Sequence, residues 1–315
     1  MTTGDNKTLI MGAAVGYTAE QIAPFLRSLR SSGYGGEVLL IVEPTLARHC
    51  AGLPLFEGVI FLTARQWFPI RHAWLRQRLK TALWLWLPVQ LPLWMLVRLL
   101  GWLPLPAELK FKWQAPLATR LLPPTESRYL HFLRFLQRQR RRYSRVLLSD
   151  VRDVLFQSNP FEQLPQTGLA VSIEGSRYTI ATEPFNAAWV QRIYGAETLR
   201  KIAEQPVSCC GVTYGDGDSI ALYLQLMCEG VLGLNFRAAR QGVLDQGIHN
   251  VLLWTGRLGA FHRLETLNSP VATINGVDEC ELCLSADGKL LNADGSVVSV
   301  IHQYDRSPLL RAAFS

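Results

Sequence analysis

Val146–Phe161 reads VLLSDVRDVLFQSNPF, and this stretch decides the fold. Three apolar residues run into Ser149, then Asp150, Val151, Arg152 and Asp153, before apolar character returns at Val154, Leu155 and Phe156. A short apolar run that ends at a polar edge reads as a buried parallel strand finishing at its carboxyl end. In open α/β sheets, ligands collect at that end. Two carboxylates in an apolar setting need a partner, because an unpaired buried charge is costly. A divalent cation carrying a phosphorylated substrate is one such partner. A salt-bridged strand end with Arg152 and Arg145 is another.

Working back from this stretch, Leu9–Ala14 reads as a strand and Val15-Gly16-Tyr17 as a turn. Thr18 then caps a helix that runs to about Leu29. Gly33–Gly36 breaks that helix, and Glu37–Val42 and Val59–Thr63 follow as strands. This order makes a βαβ unit with a parallel sheet. The first turn carries Gly12 and Gly16 without GxGxxG, and no GxxxxGKS/T occurs, which excludes a dinucleotide fingerprint and a P-loop.

The chain has 315 residues, 49% of them apolar, and a formal net charge of +7. That length allows one large α/β domain or two smaller ones, and no long linker divides it. The charge suits polyanionic partners such as anionic lipid or phosphorylated ligands. No nucleic-acid recognition fold is legible, so nucleic acid is not expected. Residues 1–8 are polar and Leu9–Val15 is too short for a cleavable apolar region, so a cytoplasmic chain with reduced thiols is expected. Cys280-x-x-Cys283 lacks a second ligand pair beyond the adjacent Cys209-Cys210, which argues against zinc.

Residues 65–125 read as an insertion. Seven of the nine tryptophans fall between Trp67 and Trp113, and from Thr81 to Ala107 the only charge is Arg98. A basic flank beside a Trp- and Leu-rich run suits the membrane interface. Pro88 and Pro92 interrupt the run, so a re-entrant or interfacial helical pair is expected rather than a span. An insertion packed on the protein, or at a dimer contact, is the alternative. Ser127–Tyr143 reads as an amphipathic helix with a basic tail at Arg138, Arg140, Arg141 and Arg142, facing solvent or anionic headgroups.

Beyond the opening strand, strands are expected at Leu169–Glu174 and Val207–Thr213, and helices at Phe185–Tyr194, Ser219–Glu229 and Asp245–Trp254. Asp216-Gly217-Asp218 is a literal DxD, and its place before a clean helix reads as an N-cap. Asp245, too, reads on its own as a helix cap, and His249 lies one turn later on the same face. A terminal meander at Glu281–Leu284, Leu290-Leu291 and Val297–Ile301 delivers His302.

Taken in order, these features resemble the GT-A-fold glycosyltransferases, which transfer sugars from nucleotide-sugar donors. VLLSDVRDVLFQSNPF is similar to their DxD-type metal motif, with the two acids one residue further apart. CCGVTYG is similar to their small-residue strand near the donor sugar, DQGIHN to a DQ-type helix and VIHQYDR to a late metal-binding histidine. The resemblance covers most of residues 8–44 and 144–306 and leaves the insertion out. It implies one α/β catalytic domain, 1–315, as a Rossmann-type sandwich with a mostly parallel sheet and an apolar helical insertion. It implies Asp150, Asp153 and His302 as ligands of Mn²⁺ or Mg²⁺. A UDP- or GDP-linked sugar is expected over Gly12, Ala13, Val15, Gly16 and Tyr17, with Asp150, Arg152 and Arg306 contacting it. Asp245 and Gln246 take the catalytic positions, and the acceptor is a glycan or a lipid-linked glycan. Peripheral contact through residues 67–113 would hold the chain at the inner face of the membrane. Two other readings stay open: a non-catalytic membrane-associated scaffold, and a metal-dependent phosphohydrolase.

Overall fold

The computed structural model describes residues 7–65, 80–139 and 143–314. The basic stretches around Arg71–Arg78 and at Arg140–Arg142 lie outside them. Seven strands form the main sheet: β1 (Thr8–Ala13), β2 (Glu37–Val42), β3 (Val59–Thr63), β4 (Arg145–Ser149), β6 (Leu169–Ile173), β7 (Ser208–Asp216) and β8 (Phe261–Glu265), in the order β3-β2-β1-β4-β7-β6-β8. Only β7 runs against the rest, pairing antiparallel with both β4 and β6. A second sheet joins β5 (Val154–Phe156), β12 (Val300–His302) and β9 (Val271–Thr273) in the order β5-β12-β9, and a short hairpin pairs β10 (Cys283–Leu284) with β11 (Leu290–Leu291).

Alternation along the strands builds two cores. Leu9, Met11, Leu39, Ile41, Val146 and Leu148 point to one face, and Ile10, Val38, Leu40, Val42 and Leu147 to the other. A side-chain period of two with both faces apolar is what a sheet sandwiched between helices requires. Helix α1 (Ala19–Ser31) covers one face through Ile22, Phe25, Leu26 and Leu29. Thr18 caps it as expected, in a reciprocal capping box with Gln21. Helix α2 (Pro44–Cys50) follows β2, and its seven residues hold too few apolar positions to have been read in advance.

The other face receives the insertion and the later helices. Helices α3 (Lys80–Trp102) and α4 (Ala107–Leu121) lead into α5 (Pro124–Gln139). After them come α6 (Pro184–Tyr194), α7 (Gly217–Gly233) and α8 (Asp245–Trp254). The expected break in α3 does not occur: the helix runs through Pro88 and Pro92. No helix among the described residues is long and apolar enough to cross a membrane. The inner side of α3 packs on the protein. Trp94 is buried and donates its indole N–H to the Leu234 carbonyl at 3.2 Å. Arg98, the one charge of the apolar run, turns inward to the carbonyls of Leu232, Gly233 and Leu234 at the end of α7. That contact satisfies helix-terminal acceptors that would otherwise lack donors.

Other elements also differ from expectation. Among the described residues the basic helix spans Pro124–Gln139, and the strand expected at Val207–Thr213 runs to Asp216. The expected meander does not form as one sheet: β10 and β11 make a separate hairpin, and the last strand, Val300–His302, joins β5 and β9 instead. β8 and β9 were not expected, because FHRLE is half polar and VAT is too short to show a period.

Docking of α3 through one face predicts an asymmetry between two of its tryptophans. Trp94→Ala, at a position 3% exposed, should cost about 3–5 kcal/mol in urea unfolding, as for a large side chain removed from a core. Trp102→Ala, at a position 74% exposed, should change stability by no more than about 0.5 kcal/mol. Equal effects at the two positions would contradict the docking.

Candidate metal centre

The order of the main sheet reverses between β1 and β4: β2 and β3 lie on one side of β1, and β4 and the later strands on the other. A crevice opens at such a switch point, outside the carboxyl ends of the strands. Asp150 stands there, the first residue after β4, and its amide donates to the Gly211 carbonyl at 2.6 Å. Asp153 follows in the bend before β5, and its carbonyl accepts from the Gln303 amide at 2.7 Å. Gln303 takes a left-handed conformation (φ 62), a costly one for a residue with a β-carbon, and so turns the chain immediately after His302. β12 pairs with β5 so that His302 faces Val154. Loops 150 residues apart in sequence are thereby held together.

Ligand atoms of Asp150, Asp153 and His302 all lie within 4.8 Å of one another. His302 is 1% exposed and neither ring nitrogen has a hydrogen-bond partner; Nε2 lies 3.4 Å from Asp150 Oδ2 without hydrogen-bond geometry. An orphaned imidazole facing two carboxylates is a donor set that fits a divalent cation. One nitrogen with two oxygen donors suits Mn²⁺ and is compatible with Mg²⁺. Asp150 is 34% exposed, which leaves the far side of the cluster open. Room for an ion depends on Gly211, where a β-carbon would stand 2.2 Å from His302 Cε1 and 2.8 Å from Asp150 Oδ2. Gly211 lies beside Asp150 because the β4–β7 register, Ser149 opposite Val212, continues by one residue, whereas β7 slips register against β6 between Val171 and Ser172.

Asp150 has a second partner that sequence reading missed. Arg128, in the first turns of α5 and only 8% exposed, ion-pairs with Asp150 Oδ1 and, at 2.8 Å, with Asp245 Oδ2. Tyr129 donates its hydroxyl to the same Asp245 oxygen at 3.2 Å, and the Gln246 amide donates to Asp245 Oδ1 at 3.1 Å. Asp245 is therefore not the N-cap of α8, a place taken by Leu244. It is a buried acceptor with both oxygens engaged. The proposed salt bridges to Arg145 and Arg152 do not form. Arg145 donates to the Phe161 carbonyl, and Arg152 pairs at 3.2 Å with Asp305 on the surface.

Gln246 leads away from the cluster into a group of amides. Its Nε2 donates to Glu174 Oε1 at 3.2 Å and to Asn186 Oδ1 at 3.3 Å, and Asn275 holds the other Glu174 oxygen. Glu174 was also missed, although it follows β6 as Asp150 follows β4. Arg306 reaches Asn275.

The turn expected to meet a nucleotide lies on the same edge. Gly12 is required inside β1, because a β-carbon there would strike Val151 at 2.5 Å. Ala13 and Val15 are half-buried, and Gly16 (φ 90) donates its amide to Glu43. Tyr17 faces the acids: burial, then Asp150 and Asp153, raises its hydroxyl pKa. His249 does not join the site; it is fully buried between Ser208 and Tyr223, each at 2.9 Å, and burial pushes its pKa down to about 3. Asp216 caps α7 as expected. Cys280 and Cys283 are exposed, whereas Cys209 and Cys210 are buried.

The charges in the cluster are strongly perturbed. Burial alone would raise the pKa of Asp150, but Arg128 and then His302 outweigh it and hold the carboxyl well below its usual range. Asp153 shifts up, first through burial and also through Asp150 and Asp305. Burial lowers the pKa of His302, yet contact with Asp150 and the charge of Asp153 leave it above its ordinary 6.5. Further in, Glu126 accepts the Leu244 amide at 2.8 Å, and burial, followed by Asp245, lifts it to about 7.

Metal binding must displace the His302 proton, so Mn²⁺ affinity is expected to be full above the raised His302 pKa and to fall as pH drops through it. Mn²⁺ titration by electron paramagnetic resonance across pH 5.5–8.5 reads this directly. Gly211→Ala should weaken binding by roughly tenfold or more, about 1.4 kcal/mol, because its methyl group would stand between His302 and Asp150, while the circular dichroism spectrum stays unchanged. Binding that ignores both pH and the added methyl group would rule the cluster out. No family model matches the chain and no curated protein matches it.

Proposed function

We propose that the chain is a metal-dependent glycosyltransferase of GT-A-like, Rossmann-type architecture. It would move a sugar from a nucleoside-diphosphate donor to a glycan or lipid-linked acceptor. The observation that carries this reading is the open Asp150–Asp153–His302 cluster at the point where the strand order reverses. In the transfer, the bond between the anomeric carbon and the phosphate oxygen breaks, and its electron pair leaves with the nucleoside diphosphate. The acceptor oxygen forms the new bond, and its proton passes to the departing diphosphate. Bound Mn²⁺ or Mg²⁺ would supply charge neutralisation for the departing diphosphate.

The chain's own residues do the rest. Asp150, Asp153 and His302 hold the cation, and Arg128 fixes the rotamer of Asp150 through its ion pair. Tyr17 and the Gly12–Gly16 turn border the nucleotide. Gln246, Asn186, Asn275 and Glu174 present amide and carboxylate groups of the kind that orient sugar hydroxyls. Asp245 acts in this scheme mainly by holding Arg128 and starting α8, since its oxygens are taken. Arg152 and Arg306, both exposed, would contact the diphosphate as it leaves under this reading.

With Mn²⁺, one of a panel of UDP- and GDP-sugars should raise the melting temperature of the protein and be turned over, because a ligand that binds only the folded state stabilises it. Asp153→Ala should abolish both effects. No response across the panel, or an unchanged response in Asp153→Ala, would sink the transferase reading. Phosphate release from a simple phosphoester without a sugar donor would favour the phosphohydrolase.

The outward side of α3 supports peripheral membrane contact. Val89, Met95, Leu96, Leu99 and Trp102 are exposed, and the only charge on the helix after Lys80 points inward. Lys112, Arg120 and Arg138 are exposed on the two helices that follow. An apolar stripe with cations nearby suits the plane of an anionic bilayer interface. Co-sedimentation with vesicles containing phosphatidylglycerol should exceed that with phosphatidylcholine alone and be lost in Met95→Asp/Leu99→Asp. Retention of binding by that double variant would argue against the contact, and binding that survives Asp150→Ala/Asp153→Ala without any nucleotide response would favour the scaffold.

A further inference from the structure

Beyond the amide group, the carboxyl ends of β6 and β8 border a cavity of about 690 Å³. It lies on the same edge of the sheet as Asp150, because β4, β6 and β8 point the same way. The volume falls within the range of small-molecule sites. Its walls carry Glu174, Tyr178, Glu204, Glu265, Asn268 and Glu281. Against these four carboxylates stands one guanidinium, Arg263, which Glu265 already pairs at 2.7 Å. Glu174 belongs to both places. It lines the cavity, and its carboxylate is held by Gln246 and Asn275 on the side of the metal cluster, close enough to feel the charge of His302.

We infer that this cavity is the acceptor subsite and that it takes a neutral, polyhydroxylated ligand: a glycan end without phosphate or carboxylate. The inference rests on the transferase reading for the acceptor and its sugar nature, while the exclusion of anionic ligands follows from the lining alone. A phosphate or carboxylate here would meet uncompensated like charge, which repels it. Hydroxyl groups find the opposite, since carboxylates accept and amides both accept and donate. Tyr178 adds a ring and a hydroxyl, the mixed surface that sugar rings need. Two close backbone contacts keep the cavity formed without a ligand. Gly175 donates its amide to the Asn275 carbonyl at 2.9 Å, and a β-carbon on Gly175 would stand 2.3 Å from the Gly276 carbonyl oxygen. The site therefore separates its two substrates by charge. The cationic and metal-binding side faces the nucleotide, and the acidic side faces the sugar acceptor.

Saturation-transfer difference NMR on the full chain tests this with methyl glycosides of glucose, galactose and N-acetylglucosamine, beside glucose 6-phosphate and glucosamine. A neutral glycoside should give signals, glucose 6-phosphate none. Tyr178→Ala, and Asn268→Trp as a plug at an exposed position, should each cut those signals at least fivefold with melting temperatures kept. The Mn²⁺-dependent UDP or GDP thermal shift should persist in both variants. Absence of any neutral-glycoside signal, signals indifferent to both variants, or preference for glucose 6-phosphate or for glucosamine overturns the inference while the nucleotide shift still supports the transferase. Loss of the nucleotide shift in the unaltered protein, with glycoside binding intact, overturns the transferase reading and leaves the sugar site standing.

Discussion

Arg128 sits between Asp150 and Asp245, and much of the site depends on that one buried cation. Asp245, buried beside it, would be an expensive charge without it, and removing one member of such a buried pair typically costs about 3–5 kcal/mol. The arrangement ties three distant parts of the chain together: the start of α5, the end of β4 and the start of α8. Tyr129 and the amide of Gln246 complete the hydrogen bonding of Asp245, so the group has few unsatisfied atoms. Beneath it, Thr125 and Glu126 hold the amides of Val243 and Leu244, and Val243 is thereby kept at a φ of 60 that a β-branched residue rarely adopts. The first turn of α5 thus acts as a bracket for the loop that precedes α8.

Charge is distributed around this bracket in a consistent way. Asp150 is kept ionised by Arg128, whereas Asp153 and His302 share the remaining imbalance between themselves. One acid is committed to a fixed orientation, and the other two groups stay responsive to whatever enters. Glu174 is buried with amides as its partners, which keeps its acceptor capacity near the cluster without another full charge pair.

The parts of the fold that could be read from sequence are those with several turns or pleats of consistent pattern. EVLLIV and VIFLT matched β2 and β3 residue for residue, and DQGIHNVLLW matched α8, because each run is bounded by clear punctuation. The Asp150–Asp153–His302 cluster was legible because Asp150 follows a strand, Asp153 precedes the next and His302 ends a third. Arg128 was not, because it lies on a helix read as amphipathic. Residues 126 to 133 are in fact buried on every side. A charge inside the apolar half of a helix, rather than on its polar face, was the available signal. Glu174 follows LAVSI as Asp150 follows VLLS, and the rule applied to one strand would have found the other. Whether α3 packed on protein could not be read, since Arg98 looks the same in a sequence whether it faces water or the end of α7.

The left-handed turn at Gln303 carries a last consequence. It locks His302 from behind: the Gln303 amide holds Asp153, and its side-chain oxygen receives the Asn275 amide at 3.2 Å. The backbone at residues 150, 153 and 302 is therefore fixed by the hydrogen bonds of the folded chain, before any ion arrives. A cation entering such a cage meets little conformational disorder to quench, so its affinity reflects ligand chemistry and the displaced proton rather than rearrangement of the loops. The same rigidity makes the cavity size discriminating, since ions that need a different span between imidazole and carboxylate find no flexible backbone to supply it.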